Sequence, residues 1–301
     1  SVIGCGTKDT KEQDAYRQYG ITCMESGKYE DAVKAFQNAL GESIGHIGEK
    51  ELDICFYKAK AQALDGKTKD ALATYDAIIK YNKDARAYYL RGDLYMDMGE
   101  EKKGKADFES AVQHGKKNYE IYIGIYESLS RHEKKDEGQK YLSAAMEIKG
   151  DKPEDELYKG RISYLLGENK DAISYLEKAK EHKQMLASYY LGLAYDANGD
   201  SDKAKKCIAE YIKSGVATSY DLYELGMQEM QDGNYKNALT YFNSGLELEK
   251  VPNKQNLMKS AIAAYEYSGD FDSAKKMIKE YLKAYPDDEE AKHENTFLET
   301  R

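Results

Sequence analysis

The 301-residue sequence has no tryptophan, three prolines and no long apolar stretch. A membrane-spanning helix needs about 20 consecutive apolar residues, and no run in this chain approaches that length. Basic residues are also in the minority, because 45 Lys and Arg stand against 54 Asp and Glu and give a net charge of −9. Nucleic-acid binding depends on clustered Lys and Arg that neutralise phosphates, whereas here charges of opposite sign alternate. These absences argue against a spanning segment and against a nucleic-acid-binding protein.

Residue combinations that carry catalysis or hold metal ions are equally scarce. No histidine has a second histidine at the spacing of a metal site; the five are His46, His114, His132, His182 and His293. Three segments resemble parts of known motifs but lack required partners: a phosphate loop at Gly66-Lys67-Thr68, a calcium loop starting at Asp196, and a serine–lysine pair at Ser273 and Lys276. We therefore expect no catalytic residue, no metal and no cofactor, and a protein that is not an enzyme.

The chain does contain a repeat of paired segments. An anchor residue, usually small, recurs every 32 to 39 residues; twelve residues later comes a second small residue, and four residues after that a large apolar or aromatic one. The anchors are Gly20, Ala59, Gly92, Tyr126, Gly160, Gly192, Gly226 and Ile262. The second series is Ala32, Ala71, Gly104, Gly138, Ala172, Ala204, Ala238 and Ala274. The third series is Phe36, Tyr75, Phe108, Leu142, Leu176, Ile208, Phe242 and Ile278.

The local pattern within each copy is helical. Apolar residues around each anchor fall at spacings that place them on one face of a helix. Glycine follows most of the first segments, as in Asp65-Gly66 and Asp232-Gly233, and it accepts the left-handed conformation that ends helices. The chain is therefore predicted to be all-α, with two helices per repeat.

The seventh copy shows the pattern most clearly, in Leu222, Leu225, Gly226, Gly233, Tyr235, Ala238, Phe242 and Gly245, and Pro286 closes the eighth. At these positions the chain resembles the tetratricopeptide repeat (TPR) family, over nearly its whole length. The resemblance implies a right-handed superhelical solenoid of about eight helix-turn-helix repeats, because such units bury their apolar faces only by stacking. We assign residues 13–288 to this solenoid and residues 289–301 to a C-terminal capping helix.

The amino terminus carries a second resemblance. Val2-Ile3-Gly4-Cys5 is similar to the lipobox of bacterial lipoproteins, in which a peptidase cuts before the cysteine and the cysteine is acylated. This implies lipidation at Cys5 and a signal-peptide remnant, lipobox and tether over residues 1–12. The protein would then be anchored to a membrane of the bacterial cell envelope on its extracytoplasmic side. The alternative is an ordinary terminus with an incidental cysteine, which would leave a cytoplasmic scaffold.

The predicted binding surface is the stripe of each first helix that lies opposite its packing face. Copies one to four carry mixed charged and apolar residues there, whereas copies five to seven are mainly apolar. The candidate binding residues are Leu157, Tyr164, Leu186, Tyr189, Leu193, Tyr220, Tyr223, Met227 and Met230. Exposed apolar surface of this size commonly marks an interface. The alternatives are that these side chains cover one another, or that the helix phase is wrong by one residue.

Two functions fit these patterns. The first is a membrane-tethered scaffold that binds a protein or peptide in its concave groove. The second is a glycan-binding surface lipoprotein in which tyrosines stack on sugar rings. Sugar sites usually add several polar donors and acceptors beside each aromatic ring, and the neighbours here are Leu and Met, so we favour a protein partner.

Overall fold

The computed structural model describes residues 6–43 and 47–301, and over these ranges the chain forms 17 α-helices. The predicted lipidation site, Cys5, lies outside the described residues. The first helices of the repeats are α1 (Gly6–Glu25), α3 (Glu49–Leu64), α5 (Ala85–Asp97), α7 (Tyr119–Arg131), α9 (Pro153–Leu165), α11 (Ala187–Ala197), α13 (Ser219–Gln231) and α15 (Lys254–Tyr267). The second helices are α2 (Tyr29–Gly41), α4 (Thr68–Asn82), α6 (Glu101–His114), α8 (Lys135–Met146), α10 (Asn169–Glu181), α12 (Ser201–Lys213), α14 (Tyr235–Leu246) and α16 (Phe271–Ala284), and α17 (Glu289–Glu299) follows.

The helices pack as antiparallel pairs, which confirms the predicted all-α repeat fold. Every anchor residue lies on a first helix, and every residue of the second and third series lies on the second helix of the same pair. The large residues of the third series are buried, and Phe36, Phe108 and Phe242 are completely so. The sequence register therefore corresponds to the register of the structure in all eight copies.

Small anchors allow the two helices of a pair to approach closely. A Cβ atom added to Gly92 would lie 2.9 Å from the ring of Phe108, and one added to Gly160 would lie 2.5 Å from Leu176. The fourth copy reverses the arrangement, since its anchor is Tyr126 and the glycine is on the second helix. A Cβ at Gly138 would lie 3.1 Å from the Tyr126 Cα. In the fourth copy a glycine on the second helix thus makes room for a large anchor on the first.

A charged residue, Arg91, occupies an apolar-face position of the third copy. Its Nε and Nη2 atoms each donate to a carboxylate oxygen of Asp107 on α6, at 2.8 Å, and Nη1 donates to Asp76 on α4 at 2.8 Å. The hydrogen bonds that Arg91 donates to Asp107, and then to Asp76, raise the pKa of its guanidinium. The guanidinium is therefore tolerated at this position because a buried aspartate on the paired helix satisfies it.

The described chain falls into two compact units. One contains the described residues up to Arg17 together with Val33–Val216, and the other contains Gln18–Ala32 with Ala217–Arg301. In the second unit, α17 buries Ala291 and Leu298 against Ile278 and Tyr281, which confirms the predicted capping helix.

The structure describes only the last part, residues 6–12, of the tether predicted over residues 1–12. Helix α1 begins at Gly6, so the described part of that segment is helical and continuous with the first repeat. Within the first unit, the Gln13 side chain donates to the Ala39 carbonyl of α2 at 3.3 Å. The helix that follows Cys5 is thereby joined to the first repeat.

Candidate functional site

In the first unit, the predicted binding residues divide into buried and half-buried ones. Leu157 and Tyr189 are each 6% exposed, and both lie three residues before an anchor. Leu157 packs in a core cluster with Ala172 and Leu191, and the Tyr189 ring lies 5.2 Å from that of Tyr211. These two side chains therefore serve the core.

The other three predicted residues of this unit, Tyr164, Leu186 and Leu193, are half-buried. Tyr164 and Leu186 pack onto the edge of the same cluster. Tyr164 and Leu186 are thus held by the core on one side and leave part of their apolar surface accessible on the other.

In the second unit, Tyr220, Tyr223, Met227 and Met230 lie along one side of α13 at spacings of three and four. We call these four residues the α13 stripe. Tyr220 is 52% exposed, and the other three are half-buried. The Tyr223 ring lies 6.3 Å from the Phe242 ring, and Met227 Sδ accepts a hydrogen bond from the Ser260 hydroxyl at 3.6 Å. The stripe is thus an exposed tyrosine continued by three residues that rest on the core of α14 and α15.

In the first unit, charged side chains on the first helices of copies one to five form ion pairs between successive repeats. Arg17 Nε lies 2.7 Å from the Asp53 carboxylate, Arg131 Nη2 lies 2.6 Å from Asp93, and Arg161 Nη1 lies 2.8 Å from Glu120. Each pair joins one repeat to the next. The sequence analysis did not predict these ion pairs, although opposite charges on the first helices of successive copies could have indicated them.

Tyrosine hydroxyls add to this inter-repeat network. Tyr158 on α9 donates to Glu120 on α7 at 2.8 Å, and Tyr119 on α7 donates to Asp155 on α9 at 2.7 Å. The Tyr119 and Tyr158 rings stack at 5.0 Å. Burial, and then the hydrogen bond to Glu120, raise the pKa of Tyr158 to about 12, so the phenol remains a donor at neutral pH. These tyrosines hold repeats together with their rings and their hydroxyls.

Three cysteines lie within residues 6–43 and 47–301. Cys23 and Cys207 are buried and Cys55 is half-buried, all three as free thiols. Burial raises the pKa of Cys55 and Cys207, which keeps both as unreactive thiols.

No group of three His, Cys, Asp or Glu side chains within residues 6–43 and 47–301 is arranged to hold a metal ion. None of the described helices combines the length and the apolar character of a membrane span.

Family models identify the repeats. Models described as tetratricopeptide repeat match residues 20–79, 85–113, 186–214 and 255–288, which together make up about half of the sequence. The chain belongs to the tetratricopeptide repeat family. TPR proteins are generally non-catalytic scaffolds for protein–protein interaction, and membership of the family assigns this general function to the chain.

Solved structures of other proteins are also similar to this chain. A tetratricopeptide repeat protein from Parabacteroides merdae ATCC 43184 is 12% identical, over 84% of this chain and 99% of its own, with a TM-score of 0.48. PilW, a type IV pilus biogenesis factor, is 17% identical over 69% of this chain and 97% of its own, with a TM-score of 0.43. A chain of the APC/C Cut9–Hcn1 hetero-tetramer is 14% identical over 97% of this chain and 56% of its own, with a TM-score of 0.44. No protein of curated function matched the sequence.

Proposed function

We propose that this TPR chain binds an extended or helical segment of a partner protein against the α13 stripe. The observation that carries the proposal is the exposure of Tyr220 at the head of a continuous apolar line that ends at Met230. Tyrosine supplies a rigid amphipathic anchor and methionine adapts its shape to different side chains. Their combination on one helix suits a peptide ligand.

The surroundings of the two tyrosines favour protein over glycan. Met227 and Met230 follow Tyr220 and Tyr223 on the same side of α13, and the Ser260 hydroxyl near Met227 already donates to its sulfur. A sugar-binding site needs several polar donors and acceptors beside its aromatic rings, because sugar hydroxyls that lose water must be hydrogen-bonded again. The α13 stripe offers mainly apolar surface.

Comparative capture of partners tests this surface. The purified chain and its Tyr220→Ser/Met230→Ser variant are immobilised and exposed to extracts of the source cells. We expect at least one protein to be retained by the wild type and reduced about tenfold by the variant, which corresponds to a loss of about 1.4 kcal/mol. The matched control is Tyr81→Ser, because Tyr81 is 53% exposed on the other unit. Identical retention by all three proteins would reject the α13 stripe as the binding surface.

We further propose that the scaffold is tethered to a bacterial membrane, on its extracytoplasmic side, by lipid on Cys5. The support is the lipobox-like segment Val2-Ile3-Gly4-Cys5, followed directly by α1. Two or three acyl chains give stable attachment, since each buried methylene contributes about 0.8 kcal/mol.

Metabolic labelling tests the tether. Cells that express the full coding sequence are grown with an alkyne analogue of palmitate, and the label on the purified protein is measured. We expect labelling of the wild type, none on Cys5→Ala, and unchanged labelling on Cys55→Ala, which alters a described half-buried thiol. Equal labelling of wild type and Cys5→Ala would reject lipidation at this cysteine.

A further inference from the structure

A cavity of about 640 Å³ lies in the second unit between the last repeat and the capping helix α17. Its aromatic walls are Tyr267, Phe271, Tyr281 and Phe297. Tyr267 is 69% exposed, although its ring stacks on Tyr235 at 5.4 Å. The cavity therefore has aromatic faces that remain in contact with solvent.

Carboxylates share this cavity with the rings. Glu266 from α15 and both Glu290 and Glu294 from α17 line it. Aromatic faces and carboxylates together attract cations, because the negative face of the ring and the carboxylate charge act in the same direction.

The chain itself places a cation there. The Arg301 guanidinium carbon lies 4.3 Å from the centre of the Phe297 ring and 5.7 Å from that of Phe271. Its carbonyl oxygen accepts a hydrogen bond from Lys275 Nζ at 2.5 Å. Arg301 shows the geometry in which a guanidinium occupies this cavity.

The other lining cation is already neutralised. Lys259 Nζ lies 3.1 Å from Asp288 and 5.8 Å from the centre of the Tyr281 ring. The carboxylates of Glu290 and Glu294 alone exceed the charge that Arg301 supplies, so the cavity carries a net negative charge even when Glu266 is protonated.

We propose that this cavity binds an arginine side chain from a basic segment of a partner protein, in exchange for Arg301. The guanidinium of the partner stacks on Phe297 and Phe271 and faces Glu266 and Glu294. Arginine fits better than lysine because its planar group stacks on aromatic faces and loses hydration more readily. The cavity shares no residue with the α13 stripe. The arginine site is therefore proposed independently of the function proposed for that stripe.

The raised pKa of Glu266 makes the charge of the cavity depend on pH near neutrality. Burial, followed by the hydrogen bond with Glu294, raises the pKa of Glu266 to about 7. The charged groups around it are Lys259 on its own helix, Glu290 and Glu294 on α17, and Arg301; the Tyr281 hydroxyl on α16 is bonded to Asp288. A bound guanidinium would take the place of the shared proton.

Titration with N-acetylarginine amide, followed by saturation-transfer NMR on the full chain, tests the site. The uncharged isostere N-acetylcitrulline amide is the control ligand, and we expect it to bind at least about tenfold more weakly at a cation site. Arginine affinity should rise from pH 6 to pH 8, because Glu266 loses its proton in this interval.

Two variants distinguish the site from general attraction to an acidic protein. At about pH 8, where Glu266 is mainly ionised, Glu266→Gln/Glu294→Gln should bind arginine about tenfold more weakly, whereas Glu247→Gln/Glu249→Gln, with about the same change in net charge, should bind as the wild type does. Arg301→Ala should bind arginine about threefold more tightly, since the internal competitor is gone. Equal binding of arginine and citrulline, wild-type affinity in the Glu266/Glu294 variant, or no gain in Arg301→Ala would overturn the proposal.

Discussion

At the scale of single residues, this solenoid depends on pairs of positions that share a fixed space. Gly226 and Phe242 are such a pair, because a Cβ at Gly226 would collide with the phenylalanine ring. In the fourth copy the anchor itself is large, and Gly138, twelve residues later, leaves room for Tyr126. The sequence reveals these positions because the anchor, second and third series each recur in a constant register.

Other residue contacts were beyond prediction. Arg91 looked like a failure of the apolar pattern, and only the structure shows that Asp107 on the paired helix accepts two of its hydrogen bonds. A side chain and its partner 16 residues away leave no periodic signal when the pair occurs in one copy.

The turn of the fourth repeat leads to a stability prediction. Seven turns between paired helices have glycine at positive φ, but the fourth has Glu133 at φ 62°. It keeps the same backbone bonding, since Lys134 N donates to the Leu129 carbonyl at 2.8 Å. We expect Glu133→Gly to raise the free energy of unfolding by about 0.5 to 1 kcal/mol, because glycine adopts this conformation without strain.

Urea unfolding followed by circular dichroism measures this difference. The control is Glu168→Gly, an exposed residue at φ −87° in the corresponding turn of the fifth repeat, where glycine should be neutral or destabilising. The explanation by backbone strain is wrong if Glu133→Gly is no more stable than the wild type.

At the scale of helices, the face that a helix presents was predicted only in part. Leu157 and Tyr189 were predicted to lie on the binding stripe but are buried, as are Phe56 and Ile123 at the same position, three residues before the anchor, of other copies. Phe56 packs in a cluster with Ala87, and Ile123 in a cluster with Ile162 of the next repeat. Periodicity gives the angle of a residue around its own helix, but the width of the covered face depends on how the next repeat stacks.

Residues six before and one and four after the anchor remain partly or largely accessible in the fifth to seventh copies. Seven of the nine predicted binding residues are therefore half-buried or exposed. Four of these seven lie on one helix and form the α13 stripe. Whether it binds a partner stays a prediction that the experiments above address.

The capping helix gives a prediction of pH dependence. Because the pKa of Glu266 is raised to about 7 in the folded protein, against about 4.3 for an unfolded glutamate, the folded state holds a proton that the unfolded chain releases. The resulting stabilisation is complete below the unfolded pKa and is lost as pH rises through about 7.

Thermal unfolding at about pH 5 and about pH 8 tests this linkage. We expect Tm to fall more in the wild type than in Glu266→Gln, which keeps a neutral donor at all pH values. The comparison between the two proteins removes contributions from other titrating groups. An equal or larger fall in Glu266→Gln would contradict a proton shared between α15 and α17.

At the scale of the whole molecule, the repeat fold could be predicted from the sequence, since it rests on periodic features. The inter-repeat ion pairs, such as Arg161 with Glu120, and the cavity below α17 could not. They arise where different helices meet, and their positions depend on packing rather than on the order of residues along one helix.

The proposal for the molecule is that a TPR scaffold engages a partner protein through α13. Site-specific photo-crosslinking in the source cells tests it most directly, with p-benzoylphenylalanine replacing Tyr220 and, as the matched control, Tyr81. These two tyrosines are 52% and 53% exposed. We expect one dominant protein adduct from position 220 that is absent from position 81; no adduct at position 220, or the same adducts at both positions, would contradict binding through α13.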